Sequence, residues 1–371
     1  MGPGAVVVDG GMDIDPGTGR EADVVVIGAG QAGLSTAYHL RRLGADFVVL
    51  DGAPRPGGAW ADRPPTLTMA KVHGVFDLPG ATLPPSSDDE PAAAVVGRYY
   101  ADYERRFDLP VLRPVTVRAV ASRGSRLTVS TSAGDWTARA VANATGTWTR
   151  PYWPSYPGGS SFAGRQLHSA SYRGPAPFAA QRVVVVGGGN SAAHILSELG
   201  GVAAATTWVT RRPPEFREGE FTEDVGRSII AEVDARVRAG LPPRSVVSVT
   251  GLGYTTVVRE ALAKGVLERR PMFTSIRPDG VQFADGSFVP ADVIIWATGF
   301  RPALGHLAPL GLREPGGGVR MDGTRVAADP RVHLVGYGPS ASTVGANRAG
   351  REAAREITRF LDEPAELAEA S

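Results

Sequence analysis

The chain of 371 residues contains no cysteine. That absence removes structural disulfides, thiolate zinc sites, iron–sulfur ligation and any Cys-x-x-Cys redox pair. Lysine is nearly absent too: Lys71 and Lys264 are the only two, which leaves few candidates for Schiff-base chemistry. Neither sign of charge is in excess, because 39 basic residues face 38 acidic ones. So even a balance gives no support to a nucleic-acid or anionic-membrane partner. No apolar run approaches the roughly 18–20 residues that a membrane-spanning helix needs. The segment Met1–Arg20 lacks the basic start and apolar core of a signal peptide and predicts a disordered tail on a cytoplasmic protein. The six histidines show no His-Glu-x-x-His spacing, so no metal is expected. No Gly-x-Ser-x-Gly motif places a nucleophilic serine.

What is present is enough apolar material, 43% of residues, for sizeable cores. At about 150 residues per domain, the length suggests two to three domains. Val24-Val25-Val26-Ile27 is a continuous β-branched run, as expected of a strand buried on both faces of a parallel sheet. A Gly-rich turn, a helix over Gln31–Leu43 and a strand over Phe47–Leu50 complete a βαβ unit. The pattern repeats with a strand Arg182–Val186, a turn Gly187–Gly189, a helix Ser191–Leu199 and a strand Thr207–Thr210. Between the units the pattern predicts a helix over Glu90–Phe107 and short strands around Val115–Val120, Leu127–Ser130 and Trp136–Asn143. Beyond them it predicts a helix Thr222–Ala239, a hairpin near Val281–Val289, strands Asp292–Ala297 and Val332–Val335, and a helix Arg348–Leu361.

Each unit carries a dinucleotide fingerprint between strand and helix: Gly28-Ala29-Gly30-Gln31-Ala32-Gly33 and Gly187-Gly188-Gly189-Asn190-Ser191-Ala192. The first glycine permits the tight turn, the second lets a pyrophosphate approach the backbone, and the third position must be small for helix–strand packing. The helix N-terminus then offers unpaired N–H groups and a positive dipole end to the phosphates. Asp51 closes the second strand of the first unit, about 20 residues past the fingerprint, where an acid accepts hydrogen bonds from the ribose of FAD or NAD. The equivalent place in the second unit holds Arg211 and Arg212, which suit a 2′-phosphate and hence NADP. The alternative, that these are ordinary solvated charges at strand ends, stays open. Two such sites on one chain are the usual arrangement for a nicotinamide that reduces a flavin. FAD is therefore expected in the first fold and NADPH in the second.

The sequence at this point resembles the flavin-containing monooxygenases, the class with FAD and NADPH on one chain. Phe162-Ala163-Gly164-Arg165-Gln166-Leu167-His168-Ser169-Ala170-Ser171-Tyr172 matches the family's FxGxxxHxxx(F/Y) pattern at every fixed position. Gly57-Gly58-Ala59-Trp60 looks like its GGxW, and Ala144-Thr145-Gly146 and Ala297-Thr298-Gly299 look like its two ATG crossings. Val335-Gly336-Tyr337 through Gly345 looks like the last flavin-contacting loop. The resemblance spans Asp23 to Arg359 and is nearest to the short bacterial and plant auxin-forming type. The stretch Leu67–His73 lacks the asparagine that many members place beside the flavin.

The resemblance implies an α/β fold of two Rossmann-like domains, the NADPH domain inserted into a discontinuous FAD domain. The expected division is a tail over 1–20, an FAD domain over 21–159 and 291–371, and an NADPH domain over 160–290. The implied FAD contacts are Gly28, Gly30, Gln31, Gly33, Asp51, Gly58, Trp60, Val117, Thr145, Gly146, Gly336 and Gly345. Those for NADP are Gly187, Gly189, Asn190, Ser191, Arg211, Arg212, Thr298 and Gly299. Catalytic candidates are His73, Lys71 and Thr298; His168 reads as structural, and Trp148, Trp153 and Trp296 as core or linker residues. The implied activity inserts one oxygen atom from O2, through a flavin peroxide, into a small N, S or carbonyl substrate. The alternative is a reductase or oxidase passing electrons to a protein or small-molecule acceptor. A homodimer is compatible with this reading.

Overall fold

The computed structural model describes residues 19–72, 74–217, 223–243 and 251–363. Strand β1 (Arg20–Ile27), helix α1 (Gln31–Arg42) and strand β2 (Phe47–Leu50) form the expected βαβ unit. Val24, Val25, Val26 and Ile27 are all buried and pair in parallel with Phe47, Val48, Val49 and Leu50. Helix α2 (Ala92–Arg106) and strands β3 (Val111–Leu112), β4 (Val117–Arg123), β5 (Arg126–Thr131) and β6 (Gly134–Asn143) follow. The first sheet has nine strands, with β6, β1, β2 and β3 adjacent and parallel, and the strand Asp329–Leu334 on the other side of β6. Two apolar clusters cover its faces, one built on Val25, Ile27 and Leu334, the other on Val24, Val26 and the tyrosines of α2.

The second sheet has five strands: β7 (Arg165–His168), β8 (Arg182–Val186), β9 (Ala205–Val209), Arg269–Arg270 and Val293–Trp296. Helix α3 (Asn190–Leu199) joins β8 to β9. The strand Val293–Trp296 lies between β7 and β8, bonded in parallel to both, so the second sheet runs beyond the expected border at 290. The reason is burial: Val293, Ile294, Ile295 and Trp296 are each at most 1% exposed, which only a central parallel strand provides.

The expected hairpin is a three-stranded antiparallel sheet, because Ser275–Arg277 adds to Gly280–Gln282 and Phe288–Pro290 and buries Ile276. The helix expected over Thr222–Ala239 is described from Glu223 to Arg238, and Thr222 lies outside the described residues. So does the expected tail up to residue 18. The last helix starts at Thr343, ahead of the expected Arg348, because the Ser342 hydroxyl accepts the Gly345 N–H at 3.0 Å and caps it.

This last helix lies directly on α1. A Cβ at Gly350 would stand 2.6 Å from Ser35 Oγ and 2.8 Å from Thr36 N. The same interface carries Ser35 Oγ donating to Asn347 O at 3.1 Å and Gln31 Nε2 donating to Asn347 Oδ1 at 3.2 Å. Gly350→Ala is therefore expected to cost about 1–3 kcal/mol by overpacking. For a chain of this length that corresponds to a fall of roughly 1–4 °C in Tm. A melting curve unchanged within a degree would refute this account of the helix contact.

Candidate functional site

In the first fingerprint the three glycines do different work. Gly28 has φ +98°, and a Cβ there would meet Ala144 O at 2.8 Å. A Cβ at Gly33 would lie 1.8 Å from Gly28 O, so α1 packs onto the turn itself. Gly30 is the exception: a Cβ there meets only Gly58 Cα at 4.0 Å, so the space in front of the α1 N-terminus is open. Gly30 supplies no side-chain cap to α1, and Gly189 supplies none to α3. The helices Thr256–Ala263 and Thr343–Asp362 are capped by Thr255 and Ser342. The two fingerprint helices thus leave their first N–H groups to an anion, the arrangement a pyrophosphate requires.

Asp51 lies at the end of β2, 7% exposed. Its Oδ2 accepts from Arg113 Nε at 3.1 Å and Nη2 at 3.0 Å, while Arg113 also donates to Glu104 at 2.6 and 2.9 Å. Burial works to lower the Arg113 pKa, but the two carboxylates raise it above its ordinary value. Asp51 Oδ1 makes only a long 3.5 Å contact with Ala53 N. That oxygen is available to ribose hydroxyls. Arg113 was not legible as a site residue, since nothing in the sequence links it to Asp51.

Other expected FAD contacts are placed variously. Gly58 (φ +51°) lies against Gly30, where its Cβ would be 2.8 Å from Gly30 Cα. The Gln31 carboxamide is held between Asn347 and Tyr100, leaving its backbone at the helix start. Gly336 rests on Ala32, but its N–H donates to Ser340 Oγ at 3.0 Å, and the Gly345 N–H is used in the Ser342 cap. Neither amide is therefore free in this structure. Val117 opens β4 and packs against the first core cluster.

The second fingerprint repeats the geometry of the first. Gly187 has φ +144°, and a Cβ there would be 2.1 Å from Ala297 O. Gly28 N–H donates to Leu50 O at 2.8 Å and Gly187 N–H to Val209 O at 2.9 Å. Arg211 and Arg212 are exposed just past β9. Arg269, unmarked in the sequence, joins them by donating to Thr210 Oγ1 at 2.7 Å.

The two crossings pair with each other. Thr145 Oγ1 donates to Ala303 O at 2.8 Å, the Ala303 N–H to Gly146 O at 2.9 Å and the Tyr152 N–H to Gly299 O at 2.9 Å. The Thr298 hydroxyl donates to Tyr152 O, so this catalytic candidate holds the crossing together. His168 accepts the Ala170 N–H on Nδ1 and donates from Nε2 to Gly299 O, both at 3.1 Å. Burial keeps its pKa below the usual value, although the bond to Gly299 opposes this. With both nitrogens engaged in the neutral form, His168 is a latch. His306 donates to Asn143 Oδ1 at 2.7 Å, and burial pushes its pKa down to about 4.

A cavity of about 200 Å3 lies where the two halves meet. Trp60, Arg63, Lys71 and Trp148 line it from the first half, and Asn190, Ser191 and His194 of α3 from the second. Trp148 is a cavity wall, stacked on Phe300 with ring centroids 4.9 Å apart, and the Arg63 guanidinium sits 4.3 Å from its centroid. His194 faces the cavity and lies 3.3 Å from Glu198. Burial pushes the Glu198 pKa up, but His194, Thr66 and Tyr172 together pull it below the ordinary carboxylate value. Lys71 lines the cavity, while His73 lies outside the described residues.

Known proteins agree with this architecture. The pyridine nucleotide-disulphide oxidoreductase family matches residues 25–318. The structure of a flavin-containing monooxygenase from Stenotrophomonas maltophilia superposes with a TM-score of 0.80 at 42% identity, covering 92% of this chain and 99% of that one. An indole-3-pyruvate monooxygenase of Oryza sativa is 28% identical, over 75% of each chain. An uncharacterized CzcO-like oxidoreductase of Geobacillus kaustophilus is also 28% identical, over 75% of this chain and 80% of that protein. Among the described residues no helix is long and apolar enough to cross a membrane. With the family matched over most of its length and a flavin-containing monooxygenase over nearly all of it, the chain belongs to the pyridine nucleotide-disulphide oxidoreductase family as one of its flavin-containing monooxygenases, oxidoreductases that use FAD and NADPH.

Proposed function

We propose that the chain is an NADPH-dependent monooxygenase for small soft nucleophiles, amines and thioethers first and carbonyl compounds second. The observation that carries this reading is the shared cavity. The segment following the first fingerprint and the start of α3 behind the second open onto one space. A substrate there is in reach of both cofactors. The total lack of cysteine leaves no dithiol for the disulfide chemistry in the family's name.

The FAD domain in this proposal is the nine-stranded sheet with its helices, and the NADPH domain is the five-stranded sheet with the Ser275–Pro290 sheet. Bound FAD and NADPH would supply hydride transfer and activation of O2. The chain's part is positioning. The open backbone at Gly30 takes the FAD pyrophosphate, and Asp51 Oδ1 takes its ribose. The α3 N-terminus takes the NADPH pyrophosphate, and Arg211 and Arg212 take the 2′-phosphate. Trp60 and Trp148 wall the cavity against water. His168 fixes the Gly299 carbonyl beside it.

Gly30→Val is expected to abolish FAD binding with the fold retained, because the added atoms enter the open space in front of α1. Flavin absorbance of the purified variant, beside its circular dichroism, reads this out. A yellow variant with normal flavin content contradicts it. Arg211→Ala should lower kcat/KM for NADPH by about tenfold or more, the loss of a charge-assisted contact, with little effect on NADH. Equal losses with both coenzymes would make Arg211 structural.

The activity itself is tested with methyl phenyl sulfide, NADPH and 18O2. One 18O atom in the sulfoxide is the expected product by mass spectrometry. The competing reading also has a relative, a ferredoxin–NADP reductase of Ralstonia pickettii, 33% identical over 60% of this chain and 57% of that protein. Unchanged sulfide and ketone probes, with NADPH electrons recovered in ferredoxin or a quinone, would decide for that reading.

A further inference from the structure

Arg63 is placed as no structural arginine needs to be. It comes from the loop after Trp60 and reaches the cavity, with its guanidinium 4.3 Å from the Trp148 ring centroid and 5.7 Å from that of Trp60. Its Nε is sealed from solvent and has no hydrogen-bond partner. Among the described residues no carboxylate lies within ion-pair range of it, nor of Lys71 on the same wall. Among the described residues no Asp or Glu lines the cavity. The acid on α3, Glu198, is paired with His194 at 3.3 Å. The other deeply placed arginine of the site, Arg113, has two carboxylates.

A desolvated guanidinium without an anion is costly, and stacking on two indoles offsets only part of that cost. The planar fork of an arginine matches a carboxylate or a phosphate, and two indoles beside it suit a flat apolar body. We propose that Arg63, supported by Lys71, is the anchor for an anionic oxygen group in the interdomain cavity, carried by the substrate as a carboxylate or by the coenzyme as its pyrophosphate. The word substrate rests on the oxygenation reading above, whereas the anchor itself does not.

The test uses the oxidised FAD-loaded protein without turnover, so its outcome is independent of whether oxygen is transferred. Calorimetry and tryptophan fluorescence, which reports on Trp60 and Trp148, follow titrations with benzoate, benzamide, inorganic pyrophosphate and NADP+. The same titrations are made on Arg63→Gln and Arg63→Lys, with flavin content and Tm confirming that each variant is folded. The expected result is an anion affinity at least tenfold lower in Arg63→Gln and largely restored in Arg63→Lys. Loss confined to benzoate, with benzamide binding weakly throughout, assigns the anion to the substrate. Loss confined to pyrophosphate and NADP+ assigns it to the coenzyme. Affinities for all the anions unchanged in Arg63→Gln overturn the proposal. If Arg63→Gln does not load FAD, the wild-type titrations decide: benzoate bound no tighter than benzamide, together with no detectable binding of inorganic pyrophosphate, overturns it equally.

Discussion

In both sheets a carbonyl oxygen occupies the space where the first fingerprint glycine would carry a side chain. Ala144 O fills it at Gly28 and Ala297 O at Gly187. The chain can leave β6 and the strand Val293–Trp296 in that direction only because these turns have no Cβ. Each crossing is tied to its sheet by the same bond, Ala144 N–H to Ile27 O and Ala297 N–H to Val186 O, both at 2.8 Å. The two crossings then pair along Gly146–Pro151 and Gly299–Ala303 and hold the sheets at one junction. The cavity, its tryptophan walls and the start of α3 all take their positions from that junction.

Electrostatics at the junction divides into closed and open arrangements. Around β2, Asp51, Arg113 and Glu104 satisfy one another, so Asp51 is held in one orientation before any ligand arrives. His168, buried, and His306, half-buried, are neutral rings whose nitrogens bind the Gly299 carbonyl and the Asn143 side chain, and they brace the crossings without adding charge. The open arrangements are the uncapped N-termini of α1 and α3 and the arginines at Arg63, Arg211 and Arg212. All of them are positive, and in the proposed function they receive the negative charge of nucleotide and substrate. Preorganised donors of this kind cost stability in the free protein and return it on binding.

The candidates for direct chemistry are correspondingly few. Thr298 and His168, which stand out in the sequence, are consumed in backbone bonds of the crossing. Among the described residues no strong acid or base lines the cavity apart from Lys71 and the His194 beside Glu198. This suits a reaction in which cofactors carry the electrons and oxygen, and the polypeptide contributes placement and exclusion of water.

The two βαβ units, their fingerprints and the charge at the end of each second strand were legible in the sequence by itself. They depend on local rules: continuous β-branched runs for buried strands, glycine where φ is positive, and a fixed distance from turn to strand end. Elements that depend on distant partners were not legible in this way. The strand Val293–Trp296 belongs to the second sheet because β7 and β8, both more than a hundred positions earlier, bond it on either side. Trp148 and Arg63 are unremarkable in sequence and meet only when the crossings bring the loop after Trp60 against the start of α3. Arg113 reaches Asp51 across 62 positions. Local backbone preference thus decided the nucleotide folds, while the cavity and its unpaired charge came from long-range packing, whose contacts leave no periodic trace in the chain.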